Sequence, residues 1–202
     1  IDLPKSCFSF VLDKQGIFGV FLGTPELSWE GAAALSAKHH IHTTGRTYRQ
    51  VLALMPEMYD DLWVGGKGMY KLEPVVADGG ELIIYAPHIV TISRTHGRLI
   101  KEIGYHVCDY FLKQWDQFKH YPRGVLAHST HVKGLGTYDA STGEEVPRIT
   151  VTLATSILKH VCQAINLGYR DPTGINVAEW ESLADENTLV VKDAGEQLYR
   201  VE

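Results

Sequence analysis

The sequence predicts an α/β fold: a parallel or mixed sheet with helices on both faces, preceded by a β-hairpin at the amino end. Three observations support this prediction. Two runs of β-forming residues flank a polar turn near the start of the chain, a helical pattern leads through a glycine pair into a buried strand, and strands and helices alternate over the second half. Such alternation is typical of a sheet covered by helices. With 202 residues, the chain is expected to form a single domain, 1–202.

Local signals place the individual elements along the chain. Thr24 suits a helix N-cap and Pro25 suits the first helical turn, so a helix is expected to follow the hairpin. The predicted strands are 7–12, 17–22, 40–44, 49–55, 81–86, 124–127, 148–153, 165–167 and 188–191. The predicted helices are 25–38, 60–76, 99–119, 155–164 and 177–183, and a long polar loop is predicted over 128–143.

The predicted helix 60–76 contains three glycines, Gly65, Gly66 and Gly68. Each glycine weakens a helix by about 1 kcal/mol relative to alanine. A helix that tolerates this cost usually has another group packed against its backbone. We therefore expect a close approach at these glycines, beside Lys67.

The composition argues against several functional classes. The net charge is −5, and no dense Lys/Arg run occurs, which argues against a nucleic-acid-binding surface. The longest apolar runs, such as 82–86, are far shorter than the ~20 residues of a membrane-spanning helix. Cys7, Cys108 and Cys162 are far apart in the sequence, so neither a disulfide framework nor a thiolate zinc site is expected. Free thiols favour a location in the reducing cytoplasm.

The glycine-rich segment around Lys67 does not match a phosphate-binding loop. That motif requires a glycine five residues before its Gly-Lys pair and a Ser or Thr after the lysine. Asp61 and Gly68 occupy those two positions here. No G-x-G-x-x-G motif follows a predicted strand, and no G-x-S-x-G nucleophile elbow occurs. The sequence therefore predicts neither a nucleotide-binding loop nor a serine hydrolase.

Several polar residues remain as candidates for a site. Lys67 lies among small neighbours that would let a ligand approach. His128 and His131 follow a predicted strand, and His88 and His96 follow another, at the sheet edge where α/β proteins bind ligands. Simpler roles stay open for each of them: a solvated lysine, and histidines bonded to nearby backbone.

Residues 60–86 resemble the C-terminal domain of the nickel-dependent (nickel-pincer nucleotide) lactate racemase family, in a lactate-racemase-like branch of unknown substrate. In that family an aromatic-Gln-x-x-Lys-Gly-Met element opens a helix, which ends in a glycine pair or a similar turn before an apolar strand. Trp63 matches the aromatic residue, Lys67 the lysine and Gly68 and Met69 the Gly-Met pair. Val64 stands at the glutamine position, which argues against lactate itself as the substrate. Segments 8–22, 103–111 and 127–134 also look like parts of this domain.

The resemblance implies a role in racemising or epimerising 2-hydroxy acids with a nickel-pincer nucleotide, which accepts and returns a hydride. In the family the groups that anchor this cofactor, bind its nickel and act as acid and base belong to an N-terminal domain. The chain is therefore expected to be the C-terminal, substrate-cleft domain of a longer protein, with no catalytic residue and no metal ligand, and inactive alone. The expected partners are a small 2-hydroxy acid and that N-terminal domain, with no nucleic acid and no membrane.

The resemblance also assigns site residues. It implies that Lys67 and Trp63 bind the carboxylate region of the substrate, and that Trp115, in a Gln-Trp context, reaches the site. His128 and His131 are expected to be substrate contacts specific to this branch. Two other interpretations stay open: a non-catalytic binding or regulatory module that keeps the fold, and a self-contained metalloenzyme with a histidine site.

Overall fold

The computed structural model describes residues 3–202, and their elements match the sequence predictions best near the two ends of the chain. The strands are β1 (Cys7–Asp13), β2 (Gly16–Gly23), β3 (Ile41–Thr43), β4 (Tyr48–Leu54), β5 (Val76–Ala86), β6 (Gly136–Asp139), β7 (Glu144–Pro147), β8 (Thr150–Thr155), β9 (Gly168–Tyr169), β10 (Thr188–Val191) and β11 (Leu198–Arg200). The helices are α1 (Pro25–His40), α2 (Leu62–Gly65), α3 (Lys67–Leu72), α4 (Gly97–Ile103), α5 (Cys108–Lys113), α6 (Trp115–Phe118), α7 (Arg123–Lys133), α8 (Lys159–Ala164) and α9 (Val177–Ser182). Two 3-10 turns occupy Glu73–Val75 and Pro172–Gly174.

The chain divides into two units, the first ending at His42 and the second beginning at Thr43. In the first unit β1 and β2 form an antiparallel hairpin, and α1 packs on one face of it. The Thr24 hydroxyl accepts a hydrogen bond from the Leu27 N–H at 3.4 Å, as expected of an N-cap. The predicted hairpin and the helix after it are therefore confirmed.

The second unit is built on a five-stranded parallel sheet in the order β10-β4-β5-β8-β9. Neighbouring residues of a strand point to opposite faces, so each face has its own core. The larger core joins Val51, Leu82 and Val151 to α3, α4, α7 and α8, whereas the smaller joins Leu52 and Ile83 to α9. This confirms the α/β fold with helices on both faces. No helix within residues 3–202 is long and apolar enough to cross a membrane.

The predicted helix 60–76 was wrong in its continuity and in its end. It is divided at Gly66 into α2 and α3, and a 3-10 turn then leads into β5, which begins at Val76. β5 is longer than predicted because its first residues pair with β4 across an irregularity: Tyr48 pairs with Val76, and the next pair is Gln50 with Glu81. The glycine pair lies inside this strand, with Gly79 at φ +71°.

The predicted helix 99–119 is also divided, into α4, α5 and α6. Gly104, at φ +71°, ends α4 in a conformation that favours glycine. The following segment is held by Glu145, whose carboxylate accepts hydrogen bonds from the Val107 N–H at 2.7 Å and from the His106 ring at 2.8 Å. These long-range bonds fix an extended segment where apolar spacing alone favoured a continuous helix.

The prediction of a strand at 124–127 followed by a loop at 128–143 was wrong. Helix α7 covers the first half of this stretch and ends at Gly134, whose φ is +89°. The hairpin β6–β7 follows it. His128 and His131 therefore lie one turn apart on a helix and not in a loop.

Candidate functional site

The short helix α2 lies at the edge of the sheet where the parallel strands end. The loop after β5 holds its first residues through two backbone bonds, from the Leu62 N–H to the Thr91 carbonyl at 3.1 Å and from the Trp63 N–H to the Ile92 carbonyl at 2.9 Å. The buried Asp61 carboxylate is the N-cap and accepts from the Val64 N–H at 3.1 Å. Because these bonds fix the start of α2, they also fix where Trp63 lies.

The indole ring of Trp63 contacts the rings of two histidines. The His128 ring stacks on one side, with ring centroids 3.8 Å apart and planes 6° apart. The His96 ring contacts Trp63 at 4.3 Å with a tilt of 40°. The His128 Nε2 also donates a hydrogen bond to the Trp63 carbonyl at 2.8 Å. One histidine therefore fixes both the ring and the backbone of Trp63.

The hydrogen bond to the Trp63 carbonyl defines the protonation of His128. A carbonyl only accepts, so Nε2 carries the proton, and in the neutral ring Nδ1 is the bare acceptor. Nδ1 is buried without a hydrogen-bond partner among the described residues. Burial lowers the pKa of His128 from its ordinary value of 6.5, and it outweighs the hydrogen bond to the Trp63 carbonyl, which raises this pKa. The neutral form is therefore the native one.

A pH dependence of stability follows from this lowered pKa. As pH falls below about 6.5, the unfolded chain binds a proton at His128 while the native state resists it, so stability falls. We expect the free energy of unfolding to fall less between pH 7.5 and 5.5 in His128→Gln than in the unmodified chain. Urea unfolding at both pH values measures this. His160→Gln, at an exposed position of α8, is the control, and an equal fall in His128→Gln and the unmodified chain would contradict the prediction.

The Lys67 side chain is half-buried at the start of α3, beside a buried tyrosine. Its ammonium lies 5.1 Å from the centroid of the Tyr59 ring, which makes a cation–π contact. Gly195 packs against both side chains, since a Cβ built there would lie 2.9 Å from Tyr59 and 3.0 Å from Lys67. Within residues 3–202, Lys67 forms no ion pair with a carboxylate. The stem is held in place while the charge stays available to an anion.

The glycines around Lys67 allow close packing, as the sequence predicted. A Cβ at Gly65 would lie 2.9 Å from Ile89, and one at Gly68 would lie 2.7 Å from the Met55 sulfur. A Cβ at Gly66 would lie 2.6 Å from a Val132 methyl and 3.3 Å from the His128 ring. The neighbours are parts of the same protein, so these glycines bring α7 and the sheet close to α2 and α3.

The remaining predicted site residues lie in different surroundings. His131 is exposed on α7, with its ring 5.7 Å from that of Tyr70 on α3, so it borders the same surface as His128. Trp115 instead lines a separate cavity of about 490 Å³ beside α5 and β6. His88 donates a hydrogen bond from Nε2 to the Tyr59 carbonyl at 3.1 Å and so helps to fix Tyr59, whose ring contacts the Lys67 ammonium.

Two contributors to this surface were missed by the sequence analysis. Asp61 could have been recognised, because an aspartate followed by an apolar helical segment is a typical N-cap. Tyr59 has no comparable signal, because its contact with Lys67 depends on how the chain folds after β4. Val64, at the position of the family glutamine, packs its side chain against the larger core.

No group of three or more His, Cys, Asp or Glu side chains placed to hold a metal ion occurs in the part of the chain that the structure describes. The candidate site thus combines the aromatic cluster around Trp63 with the Lys67 ammonium, which follows it in the sequence across the α2–α3 junction. Its chemistry is suited to binding a small anion with an apolar part.

Solved structures similar to this chain include a structural-genomics protein and a lactate racemase. A structural-genomics protein from Thermotoga maritima is 34% identical over 95% of this chain and 47% of its own, with a TM-score of 0.84. The lactate racemase apoprotein from Thermoanaerobacterium thermosaccharolyticum is 15% identical over 96% of this chain and 46% of its own, with a TM-score of 0.66. No protein-family model matches, and neither does any curated protein.

These likenesses define the chain as an α/β protein with a lactate-racemase-like fold. The chain spans about half the length of each of these two proteins.

Proposed function

We propose that this chain is the C-terminal, substrate-cleft domain of a racemase or epimerase of 2-hydroxy acids that uses a nickel-pincer nucleotide. The observation that carries the proposal is the pairing of a clamped indole, Trp63, with the unpaired ammonium of Lys67 at the carboxyl edge of a parallel sheet. Ligands of open α/β sheets bind at this edge. The lactate-racemase-like fold supports the same assignment.

In this proposal Lys67 binds the carboxylate of the substrate. An ammonium is a compact point charge, and its hydrogen bonds to a carboxylate are stronger than those between neutral groups. The packing of Gly195 against the Lys67 stem and the Tyr59 ring under its charge limit the positions that the ammonium can take. The side chain is thereby ordered before the substrate arrives, which lowers the entropy lost on binding.

Trp63 forms the apolar wall beside this charge. Its ring is restrained because the His128 and His96 rings both contact it. A fixed apolar wall excludes water from the substrate, and this strengthens its ion pair with Lys67. His96 is half-buried and close to the ring, and His131 is exposed beside it, so both are placed to contact a larger hydroxy acid.

The proposed cofactor supplies hydride transfer when bound. The family resemblance implies that its nickel ligands and the acid–base groups lie in the further domain of a full-length protein. The role of this chain is to bind and orient the substrate and to exclude water. We therefore propose that the 202-residue chain is inactive alone and acts in the cytoplasm as part of that protein.

The test uses the full-length protein, produced together with the enzymes that make the cofactor. We expect it to interconvert the two configurations of at least one 2-hydroxy acid in a panel that extends beyond lactate, and to contain nickel. The 202-residue chain, assayed in parallel, should turn over none of them. Activity of that chain alone, or a nickel-loaded full-length protein that converts no hydroxy acid, would contradict the proposal.

A non-catalytic binding module is the second candidate, favoured by one observation. Val64 stands where the family has a glutamine, and it packs against the core instead of offering a polar group. A module of this kind would bind a hydroxy acid through Lys67 without converting it. Calorimetric binding by a full-length protein that shows no turnover would identify this case.

A further inference from the structure

The hairpin of the first unit has an exposed apolar face. Cross-strand partners point to the same face of a sheet, and three such pairs on this face are wholly apolar. Their six side chains are each between 52% and 65% exposed. The pairs are Phe8 with Leu22, Phe10 with Val20, and Leu12 with Ile17.

The opposite face of the same hairpin is already covered by α1. A Cβ built at Gly31 of α1 would lie 2.4 Å from the Phe21 ring, so helix and strand are in close contact. The Ser28 hydroxyl donates to the Phe21 carbonyl at 2.9 Å and to the Ser9 hydroxyl at 2.7 Å. One helix covers one face of a two-stranded sheet, so α1 leaves the other face open.

Apolar side chains that are exposed to water have a free-energy cost, and a partner that covers them would remove it. Burying apolar surface stabilises by roughly 25 cal/mol per Å². Contiguous exposed apolar patches on soluble proteins usually mark interaction sites. Because none of the six side chains is charged, the complementary surface must itself be apolar. Charge-driven partners such as nucleic acid are therefore a poor match.

The solved structures indicate what the partner is. The two matches cover 95% and 96% of this chain, so only about ten residues lie outside either match and part of the hairpin lies within each of them. Both also contain as much chain again beyond the matched part, because this chain covers only 47% and 46% of them. A hairpin that lies partly within the matched fold and has an open apolar face in this chain fits a partner in the remaining half of such longer proteins.

We propose that the outer face of the β1–β2 hairpin docks against the other half of a full-length, two-domain protein. The proposal rests on the proposed function only in taking such a half to exist. It adds that the hairpin anchors the two halves to each other through an apolar contact, while Lys67 and Trp63 serve the substrate.

The test compares the full-length protein with the 202-residue chain by hydroxyl-radical labelling and mass spectrometry. We expect the labelling of Phe8, Phe10 and Leu12 to fall severalfold in the full-length protein. Leu183, which is 61% exposed and lies between α9 and β10, at the edge of the sheet opposite the candidate site, is the control and should be labelled equally in both. The double variant Phe10→Thr/Val20→Thr should restore labelling of Phe8 in the full-length protein, and its midpoint of thermal unfolding should fall.

Each other outcome overturns the proposal in a distinct way. Equal labelling of the hairpin in both proteins would show that this face is not a domain interface, even if epimerase activity is found. Protection already present in the 202-residue chain, and lost on dilution, would assign the face to a second copy of the chain. A parent reading frame without another half would remove the docking partner and the proposed function together.

Discussion

Replacing Lys67 by methionine in the full-length protein is expected to lower kcat/KM for its 2-hydroxy acid by about 10- to 100-fold. The substitution removes the ammonium but keeps an unbranched apolar stem beside Tyr59 and Gly195. Hydrogen bonds to charged groups contribute about 1.5–3 kcal/mol, and losing such a contribution in the transition state lowers kcat/KM by about this factor. Initial rates over a series of substrate concentrations measure the effect.

Two further variants make the Lys67 result specific. Lys101→Met removes a lysine from an exposed position on α4 and should leave the kinetics unchanged. Lys67→Arg keeps the charge but replaces a compact ammonium by a planar fork, so activity should recover only in part. Unchanged kcat/KM in Lys67→Met for every hydroxy acid that the enzyme accepts would exclude this lysine from carboxylate binding. The aromatic wall would then remain as the only supported contribution of this surface.

The parts of the fold that the sequence predicted well are those with a strong local signal. The hairpin has two β-rich runs around a turn, and α1 has Thr24 and Pro25 at its start. The last sheet strand is a short β-rich run, and it lies at the predicted residues, Thr188–Val191. In each case neighbouring residues carry enough information without the rest of the chain.

Helix α7 was mistaken for a strand and a loop because one of its core positions is polar. Its buried residues have helical spacing, but Ser129 takes the place of an apolar residue among them. Ser129 is buried because its hydroxyl donates to the Gly104 carbonyl at 2.8 Å and accepts from the His106 N–H at 3.1 Å. Both partners are more than twenty residues away, so no local pattern predicts the helix.

The candidate site was predicted in its residues but not in its geometry. Trp63 and Lys67 came from a resemblance over a short segment, whereas the stacking of His128 on Trp63 depends on α7 being a helix. His96 contacts the same ring from the loop after β5. This loop holds α2 through backbone hydrogen bonds, which any residue can form. Such contacts leave no signature in a single sequence, and the structure is needed to find them.

Gly66→Ala is expected to change the free energy of unfolding through two opposing contributions, a gain in helix propensity and a cost of overpacking. Gly66 has helical angles, φ −56° and ψ −18°, so alanine would gain about 1 kcal/mol of helix propensity. Its Cβ, however, would lie 2.6 Å from a Val132 methyl and 3.3 Å from the His128 ring. Forcing an extra carbon into a packed interior costs about 1–3 kcal/mol.

We expect the cost of overpacking at Gly66 to exceed the gain in propensity, because Val132 is fully buried in the larger core. Gly66→Ala should therefore lower the free energy of unfolding and change the fluorescence of Trp63 as His128 moves away. Gly97→Ala, at the first residue of α4, is the matched control, because a Cβ there meets nothing within 4 Å. Urea unfolding of the two variants measures the difference. If Gly66→Ala and Gly97→Ala have the same free energy of unfolding, α7 can shift away from Gly66 at little cost. The stacking of His128 on Trp63 would then be less rigid than its geometry implies.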